Sequence, residues 1–165
     1  MNTEKRGENV DRGFFVAHSM AMERSLYCIA RSYRLSQADC EDAVQSALLR
    51  AWEKRDSLRK ERYFNTWLTR IMINTCKEML RRRREMPVEA LPERPVPVAE
   101  ERGLWPLLME MEEKYRIMVV LHYRDGYSIA EIARILRLPQ STVKTRLYRA
   151  RERLRSAAVE AEVSI

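Results

Sequence analysis

The sequence is poor in the residues that enzyme active sites usually require. Its 165 residues include only 4 glycines and 2 histidines, His18 and His122, which lie far apart along the chain. It has no glycine-rich loop that could cradle a phosphate, no carboxylate cluster with metal-ligand spacing, and no nucleophile beside either histidine. The sequence therefore predicts a protein that is not an enzyme, with no catalytic residue, no metal and no cofactor.

Cysteine is also scarce. The 3 cysteines, Cys28, Cys40 and Cys76, are odd in number and widely separated. This pattern excludes a disulfide framework and matches no zinc-binding spacing. All three lie beside apolar residues in helical patterns, which favours small buried hydrophobic side chains over a redox sensor.

Long apolar segments are missing from the sequence. No run approaches the roughly 20 residues that a membrane-spanning helix needs. The polar N-terminal residues MNTEKRGENVDRG lack the apolar segment of a signal peptide. We therefore expect a cytoplasmic protein that is not inserted into a membrane.

Positive charge and helix-forming residues are abundant. The net charge is +7 and the isoelectric point is about 9.6, which indicates a polyanionic partner. Aromatic residues make up only 8% of the chain, whereas alanine, leucine, arginine and glutamate are common, so helices are favoured over sheets.

Prolines divide the chain into two parts. Four of the 6 prolines lie within residues 87–97, and proline removes a backbone donor and disfavours helix in the residue before it. We predict an all-α fold of two small helical domains, residues 1–84 and 104–165, joined by a proline-rich linker at residues 85–103.

Three helical patterns run through the first domain. Residues 39–52 have apolar side chains at helical spacing along one face. Residues 14–34 form a weaker amphipathic pattern, and residues 63–84 begin with aromatic residues and end in four arginines. The charged residues 54–62 between these patterns predict a loop.

The second domain has the pattern of a helix-turn-helix. Residues 104–123 predict one helix, and a turn follows it. Ser128 and Glu131 form a capping box that starts the next helix. Pro139 is suited to the first turn of the final helix.

The polar side of that final helix is almost entirely cationic. A surface helix that needed only solubility would mix the signs of its charges. A cation-rich second helix suits DNA, because its early residues enter the major groove while flanking cations meet phosphates. A basic helix that binds a membrane surface or a calmodulin-like protein is the alternative, but the capped helix and the proline turn favour DNA. The residues off the apolar side are Gln140, Ser141, Lys144, Thr145, Tyr148 and Arg149.

Three stretches of the sequence resemble parts of a known family. GYSIAEIARILRLPQSTVKTRLYRARERLR resembles region four of the sigma-70 family of RNA polymerase specificity factors, above all its extracytoplasmic-function (ECF) group. DCEDAVQSALLRAW resembles the region-two helix that docks on the polymerase clamp. FNTWLTRIMINTCKEMLRRRR resembles the helix by which such factors read the minus-ten promoter element.

This resemblance implies an alternative sigma factor. Such a protein binds the clamp region of core RNA polymerase, directs promoter recognition, strand opening and transcription initiation, and is controlled by an anti-sigma factor. A stand-alone helix-turn-helix transcriptional regulator is the alternative, although the first domain would then lack a task.

The resemblance also implies three sets of site residues. Contact with core polymerase is expected from Asp39, Asp42, Gln45, Ser46 and Leu49. Contact with the minus-ten element is expected from Phe64, Asn74, Lys77 and Arg81. Contact with the minus-thirty-five element is expected from Gln140, Ser141, Lys144, Thr145, Arg146, Tyr148 and Arg149.

Some of these residues have a second interpretation. Asp39 is equally suited to cap a helix. Phe64 is suited either to stacking on an unpaired base or to packing in the core, whereas Trp67 is expected in the core. Arg137 stands where the family often has glycine, so it is expected to adopt a left-handed conformation at a cost of ~1 kcal/mol.

Overall fold

A computed structural model describes residues 10–86 and 103–163 of the chain, with side chains described as far as residue 160. Within these ranges the chain forms seven α-helices and no β-strand, so the predicted all-α class is confirmed. The helices are α1 (Arg12–Ser32), α2 (Gln37–Glu53), α3 (Phe64–Glu85), α4 (Leu104–Glu110), α5 (Glu113–Val119), α6 (Ile129–Leu136) and α7 (Gln140–Val163). We call α1–α3 the first lobe and α4–α7 the second lobe.

The three helices of the first lobe pack against one another around a core of aliphatic and aromatic side chains. Leu26, Ile29 and Leu68 have no exposed surface, and each contributes about 1.5–3 kcal/mol by leaving water. In the second lobe, α5, α6 and α7 enclose a core that includes Met118 and Val143.

The starts of α1 and α2 are set by short polar side chains. Asp11 caps α1, because its carboxylate accepts the N–H of Phe14 at 2.8 Å. Ser36 caps α2 in the same way, and its hydroxyl oxygen accepts the N–H of Asp39 at 3.1 Å. Asp39 is therefore the third residue of α2 rather than its cap, and α2 begins two residues earlier than its apolar pattern predicts.

The predicted single helix at residues 104–123 is wrong. Helix α4 ends at Glu110, Met111 has extended backbone angles and a buried side chain, and α5 begins at Glu113. The break is stabilised because the guanidinium of Arg116 donates to the carbonyl of Met111 at 2.6 Å. A short π-helical turn at Val120–Arg124 then completes the helical run.

The predicted linker lies largely outside the described residues, since residues 87–102 are not among them. At its two edges, α3 extends to Glu85 and α4 begins at Leu104. Among the described residues, no helix combines the length and the apolar composition that a membrane crossing would require.

The two lobes are in contact. Helix α3 packs against α6, and α1 packs against α5 and the π-helical turn. The buried apolar side chains of both lobes belong to one continuous hydrophobic cluster. This contact places the helix-turn-helix beside the longest helix of the first lobe.

Candidate nucleic-acid interface

One side of α3 carries a row of side chains suited to a nucleic acid. We call it the α3 stripe, and its members are Trp67, Arg70, Asn74, Lys77 and Arg81. Successive members are three or four residues apart, so they share one face of the helix. At 1.5 Å per residue the stripe is about 21 Å long.

Three members of the α3 stripe are predicted minus-ten residues. Asn74, Lys77 and Arg81 are exposed, whereas Trp67 and Arg70 are half-buried. Arg81 forms an ion pair with Glu85 at 2.7 Å in which both side chains are exposed, so water and salt screen this pair and leave the cation available.

Phe64 does not belong to this surface, which favours the core interpretation of this residue over base stacking. Its side chain is only 1% exposed, and its ring makes edge-on contacts with the rings of Phe14 and Phe15 at 5.5 and 5.6 Å. A ring enclosed in this way has no free face for a base. Trp67 packs against the core, as predicted, but it also keeps exposed surface beside Phe64.

A cleft of about 470 Å³ lies at the Trp67 end of the stripe. The predicted loop at residues 54–62 forms one wall, and it contains a short 3₁₀ turn at Arg55–Ser57. Leu58 anchors this wall in the core. The residues that line the cleft are Ser57, Leu58, Arg59, Tyr63, Thr66, Trp67, Arg70, Arg134 and Ile135.

The four arginines that end α3 differ in their surroundings. Arg82 forms an ion pair with Glu78 at 2.5 Å, and Arg83 forms one with Asp39 of α2. Because Asp39 is held by both Ser36 and Arg83, its carboxylate joins α2 to α3. This structural role favours packing over polymerase contact for Asp39.

The remaining predicted polymerase residues lie on the outer face of α2. Asp42, Gln45 and Leu49 are exposed at successive helical turns, and Ser46 beside them is half-buried. The side chain of Leu49 is 61% exposed, so an apolar surface is available on this face. An acid, an amide and an exposed apolar side chain on one face make a surface that a protein partner can cover.

In the second lobe, the helix-turn-helix has the predicted capping box. The backbone N–H of Ser128 donates to the carboxylate of Glu131 at 2.8 Å, and the N–H of Glu131 donates to the Ser128 hydroxyl at 3.2 Å. Arg137 ends α6 with φ 53° and ψ 49°, so the predicted left-handed residue is confirmed.

Helix α7 presents the residues predicted for the minus-thirty-five element on its outer side. Val143, Leu147 and Ala150 face the core, which sets the rotation of the helix. Its first residue is Gln140, so Pro139 precedes the first turn, and the Pro139 carbonyl accepts the N–H of Val143 at 3.2 Å. The exposed residues are Gln140, Ser141, Lys144, Thr145, Tyr148 and Arg149, whereas Arg146 is half-buried.

Two residues outside the predicted sites hold cations of α7. Arg149 donates a hydrogen bond to the hydroxyl of Tyr115. This hydrogen bond is the main reason why the pKa of the Tyr115 hydroxyl is lowered. Arg153 donates to the carboxylate of Glu112 at 2.9 Å and lies 4.4 Å from the centre of the Tyr115 ring. Glu112 and Tyr115 sit at the start of α5, and no sequence motif relates them to α7.

The two buried cysteines behave as packing residues. Cys40 and Cys76 have no exposed surface, and burial raises the pKa of each thiol to about 12. Both thiols are therefore protonated and unreactive at neutral pH. Cys28 is half-buried.

Comparison with known proteins identifies both lobes. Residues 20–86 match the family model described as sigma-70 region 2, and residues 103–154 match sigma-70 region 4. The chain is 36% identical over 138 residues to the ECF RNA polymerase sigma factor SigM of Mycobacterium tuberculosis, covering 79% of this chain and 70% of that protein. It is 31% identical over 168 residues to the ECF RNA polymerase sigma-E factor of Escherichia coli, covering 88% of each.

A solved structure has a similar fold. The sigma factor RpoE of Bartonella quintana, in complex with the anti-sigma factor NepR, superposes with a TM-score of 0.75 at 26% identity. The match covers 86% of this chain and 94% of that one.

A chain whose two helical lobes match sigma-70 regions 2 and 4 is a promoter-recognition subunit of the transcription apparatus. The chain belongs to the extracytoplasmic-function group of the sigma-70 family. It is an alternative sigma factor that directs transcription initiation, so the predicted family and function are confirmed. Sigma factors are not enzymes.

Proposed function

We propose that the α3 stripe captures unpaired bases of the minus-ten element. Asn74 supplies an amide that can hydrogen-bond a base edge, and Trp67 supplies a partly exposed ring on which a base can stack. Lys77 and Arg81 continue the same face and suit the phosphates. The single observation that carries this proposal is the alignment of a ring, an amide and cations along one face of α3.

The cleft at the end of the stripe is suited to a base turned out of the helix. Its volume of about 470 Å³ is sufficient for one nucleotide, and Trp67 and Tyr63 give it aromatic walls. Capture of an extruded base shifts the melting equilibrium and offsets an unstacking cost of a few kcal/mol. Strand opening by this route requires no hydrolysis, so we propose that the chain has no enzymatic activity.

The outer side of α7 is suited to duplex DNA at the minus-thirty-five element. Lys144 and Arg149 can pair with a guanine edge, and a good pairing of this kind contributes ~1–3 kcal/mol of discrimination. The hydroxyl of Thr145 already donates to the carbonyl of Ser141 at 3.0 Å, so Thr145 is better placed for apolar contact. The half-buried Arg146 is assigned to a phosphate.

The outer face of α2 is the proposed contact with the clamp of core RNA polymerase. Asp42 and Gln45 offer polar contacts, and the exposed Leu49 offers the apolar contact that a stable interface needs. Because Asp39 is engaged by Arg83, we expect it to contribute less than Asp42. We further propose that the protein acts in the cytoplasm and is regulated by an anti-sigma factor.

In vitro transcription tests the assignment. Core polymerase should initiate at a cognate promoter only when the chain is added. Asn74→Ala should reduce initiation on duplex promoter, and it should also weaken the binding of the factor and core polymerase to a single-stranded minus-ten oligonucleotide, because the base that Asn74 holds is unpaired in both cases. Lys144→Ala should also reduce initiation on duplex promoter but leave binding to that oligonucleotide unchanged, because the oligonucleotide carries no duplex minus-thirty-five element.

A matched control is Arg155→Ala, since Arg155 is exposed near the end of α7 and pairs with Glu152. This variant should initiate like the wild type. Unchanged binding of the single-stranded minus-ten oligonucleotide by Asn74→Ala would contradict base capture. Specific binding to a palindrome without polymerase, and no initiation, would instead favour a stand-alone regulator.

A further inference from the structure

We propose that Tyr115 of α5 is a positioning residue for promoter recognition, which holds the Arg149 side chain in the orientation from which that arginine reads a base pair of the minus-thirty-five element. This inference rests on the proposed function, because it takes α7 to be the helix that meets this element. Tyr115 is only 4% exposed, so it acts through Arg149 rather than by touching DNA.

The cations of α7 lie on the two flanks of its apolar side. Residues three or four apart share one side of a helix, so the exposed side chains of α7 fall into two rows. One row is Lys144, Tyr148, Arg151 and Arg155, and the other is Arg146, Arg149 and Arg153. Helix α7 packs against α5, and the contacts of Arg149 and Arg153 with the start of α5 place the second row on the flank beside that helix.

Tyr115 lies between α5 and this flank of α7. The guanidinium of Arg153 is 4.4 Å from the centre of the Tyr115 ring, and the ammonium group of Lys114 is 5.0 Å from it. The Tyr115 hydroxyl accepts a hydrogen bond from Arg149. Because the buried ring is held by packing and by these cations, its hydroxyl is an acceptor in a fixed position.

A carboxylate beside the ring gives Arg153 a partner of its own. Glu112 accepts a hydrogen bond from Arg153 at 2.9 Å and pairs with Lys114 at 2.8 Å. The side chains of Arg153 and Glu112 are 49% and 51% exposed, so their ion pair adds little to stability. Its effect is to keep Arg153 over the ring, which leaves the Tyr115 hydroxyl to Arg149.

The contact with Tyr115 restricts Arg149 before DNA is bound. A long arginine side chain loses rotamer freedom when it binds a base, and this loss opposes binding. Arg149 has already lost part of that freedom, because one of its N–H groups is bonded to the Tyr115 hydroxyl. A guanidinium has more N–H donors than a bidentate contact with guanine uses, so the bond to Tyr115 can persist on DNA.

This restriction favours discrimination between sequences. An unrestrained arginine beside DNA can turn to a phosphate instead of a base, and phosphate contacts carry no sequence information. The bond to Tyr115 limits such alternative orientations of Arg149. Arg155 provides the contrast, since it is 68% exposed and pairs with Glu152 of its own helix.

The experiment uses the full chain with core polymerase. A minus-thirty-five sequence is selected from a randomised duplex library with the wild-type factor, and each of its base pairs is then substituted. Discrimination at a base pair is the ratio of the factor concentrations that give half-maximal initiation on the substituted and the selected promoter. Arg149→Ala should lower this ratio about 5- to 150-fold at one base pair, which corresponds to ~1–3 kcal/mol and identifies the base pair that Arg149 reads.

Tyr115→Phe should lower discrimination at that same base pair about 2- to 10-fold, because it removes the acceptor and keeps the ring. The substitution changes no charge, so discrimination at the other base pairs should stay as in the wild type. The double variant should show the same discrimination as Arg149→Ala, since Tyr115 acts through Arg149. Tyr123→Phe, a matched change in an exposed tyrosine of the second lobe, should behave like the wild type.

Nuclear magnetic resonance relaxation of arginine side chains tests the restraint without DNA. In the free wild-type factor, the Nε–H group of Arg149 should be more ordered than that of Arg155, and Arg149→Ala identifies its signal. In Tyr115→Phe, the order of Arg149 should fall to that of Arg155. The measurement on the wild type does not depend on the folding of any variant at Tyr115.

The outcomes separate this inference from the proposed function. Full discrimination by a Tyr115→Phe variant that is folded by circular dichroism would overturn the positioning role, and so would a loss spread evenly over all base pairs. An Arg149 as mobile as Arg155 in the wild type would also overturn it. Failure of the wild type to initiate would instead overturn the proposed function.

Discussion

Replacement of Arg137 by glycine should stabilise the protein. Arg137 ends α6 with φ 53°, a conformation in which the Cβ atom of an L-residue crowds the following carbonyl at a cost of about 1–2 kcal/mol. Glycine has no Cβ and adopts this conformation readily. The backbone bonds that end the helix, such as that from the Leu138 N–H to the Ala133 carbonyl at 2.9 Å, do not depend on the side chain.

The expected gain is smaller than the strain that is relieved. Glycine also has more freedom in the unfolded chain, which offsets about 0.5–1 kcal/mol of the benefit. A net gain of about 0.5–1 kcal/mol remains, which corresponds to a rise of roughly 1–4 °C in the melting temperature of a protein of this size.

Thermal unfolding followed by circular dichroism measures this gain, and Arg134→Gly is the matched control. Arg134 is also an exposed arginine, but it lies within the last turn of α6 and its backbone is not left-handed. Glycine there should destabilise by about 1 kcal/mol. If both glycine variants lowered the melting temperature by similar amounts, the argument from left-handed strain would be refuted.

Three further predictions follow from burial and charge. Phe64→Ala should destabilise the fold by about 3–5 kcal/mol in chemical denaturation. Trp67→Ala should cost less stability but weaken the binding of melted minus-ten DNA by about 1–3 kcal/mol. A larger loss of stability for Trp67→Ala than for Phe64→Ala would contradict the burial of Phe64. The hydrogen bond from Arg50 of α2 lowers the pKa of Glu78. The ionised Glu78 carboxylate therefore stabilises the fold above the ordinary carboxyl pKa, and this stabilisation is lost as the pH falls through the lowered pKa. The melting temperature of Glu78→Gln should accordingly fall less on acidification than that of the wild type. Iodoacetamide should label Cys28 in the native protein while the two buried thiols react only after denaturation, as mass spectrometry of tryptic peptides would reveal.

Local chemistry made part of the fold predictable from the sequence. The capping box of α6 depends on Ser128 and Glu131, which are three residues apart, and both of its hydrogen bonds are present. The rotation of α7 follows from the spacing of its apolar residues, so the exposure of Lys144 and Arg149 was predictable in the same way.

Features that depend on distant contacts were not predictable. The break between α4 and α5 is stabilised by Arg116, whose side chain also reaches across to α1, and periodicity within residues 104–123 contains no sign of it. Phe64 was ambiguous for the same reason, since the rings that enclose it come mainly from α1. Tyr115 lies far from Arg149 in sequence, so only the packed second lobe brings them together.

The continuous hydrophobic cluster has a consequence for anyone who divides this protein. Tyr127 and Ile135 are buried where α6 meets α3. A fragment that contained only one lobe would therefore expose an apolar surface to solvent. Such fragments should self-associate or precipitate unless a partner covers these patches. Any partner that separated the two lobes would have to cover these apolar surfaces.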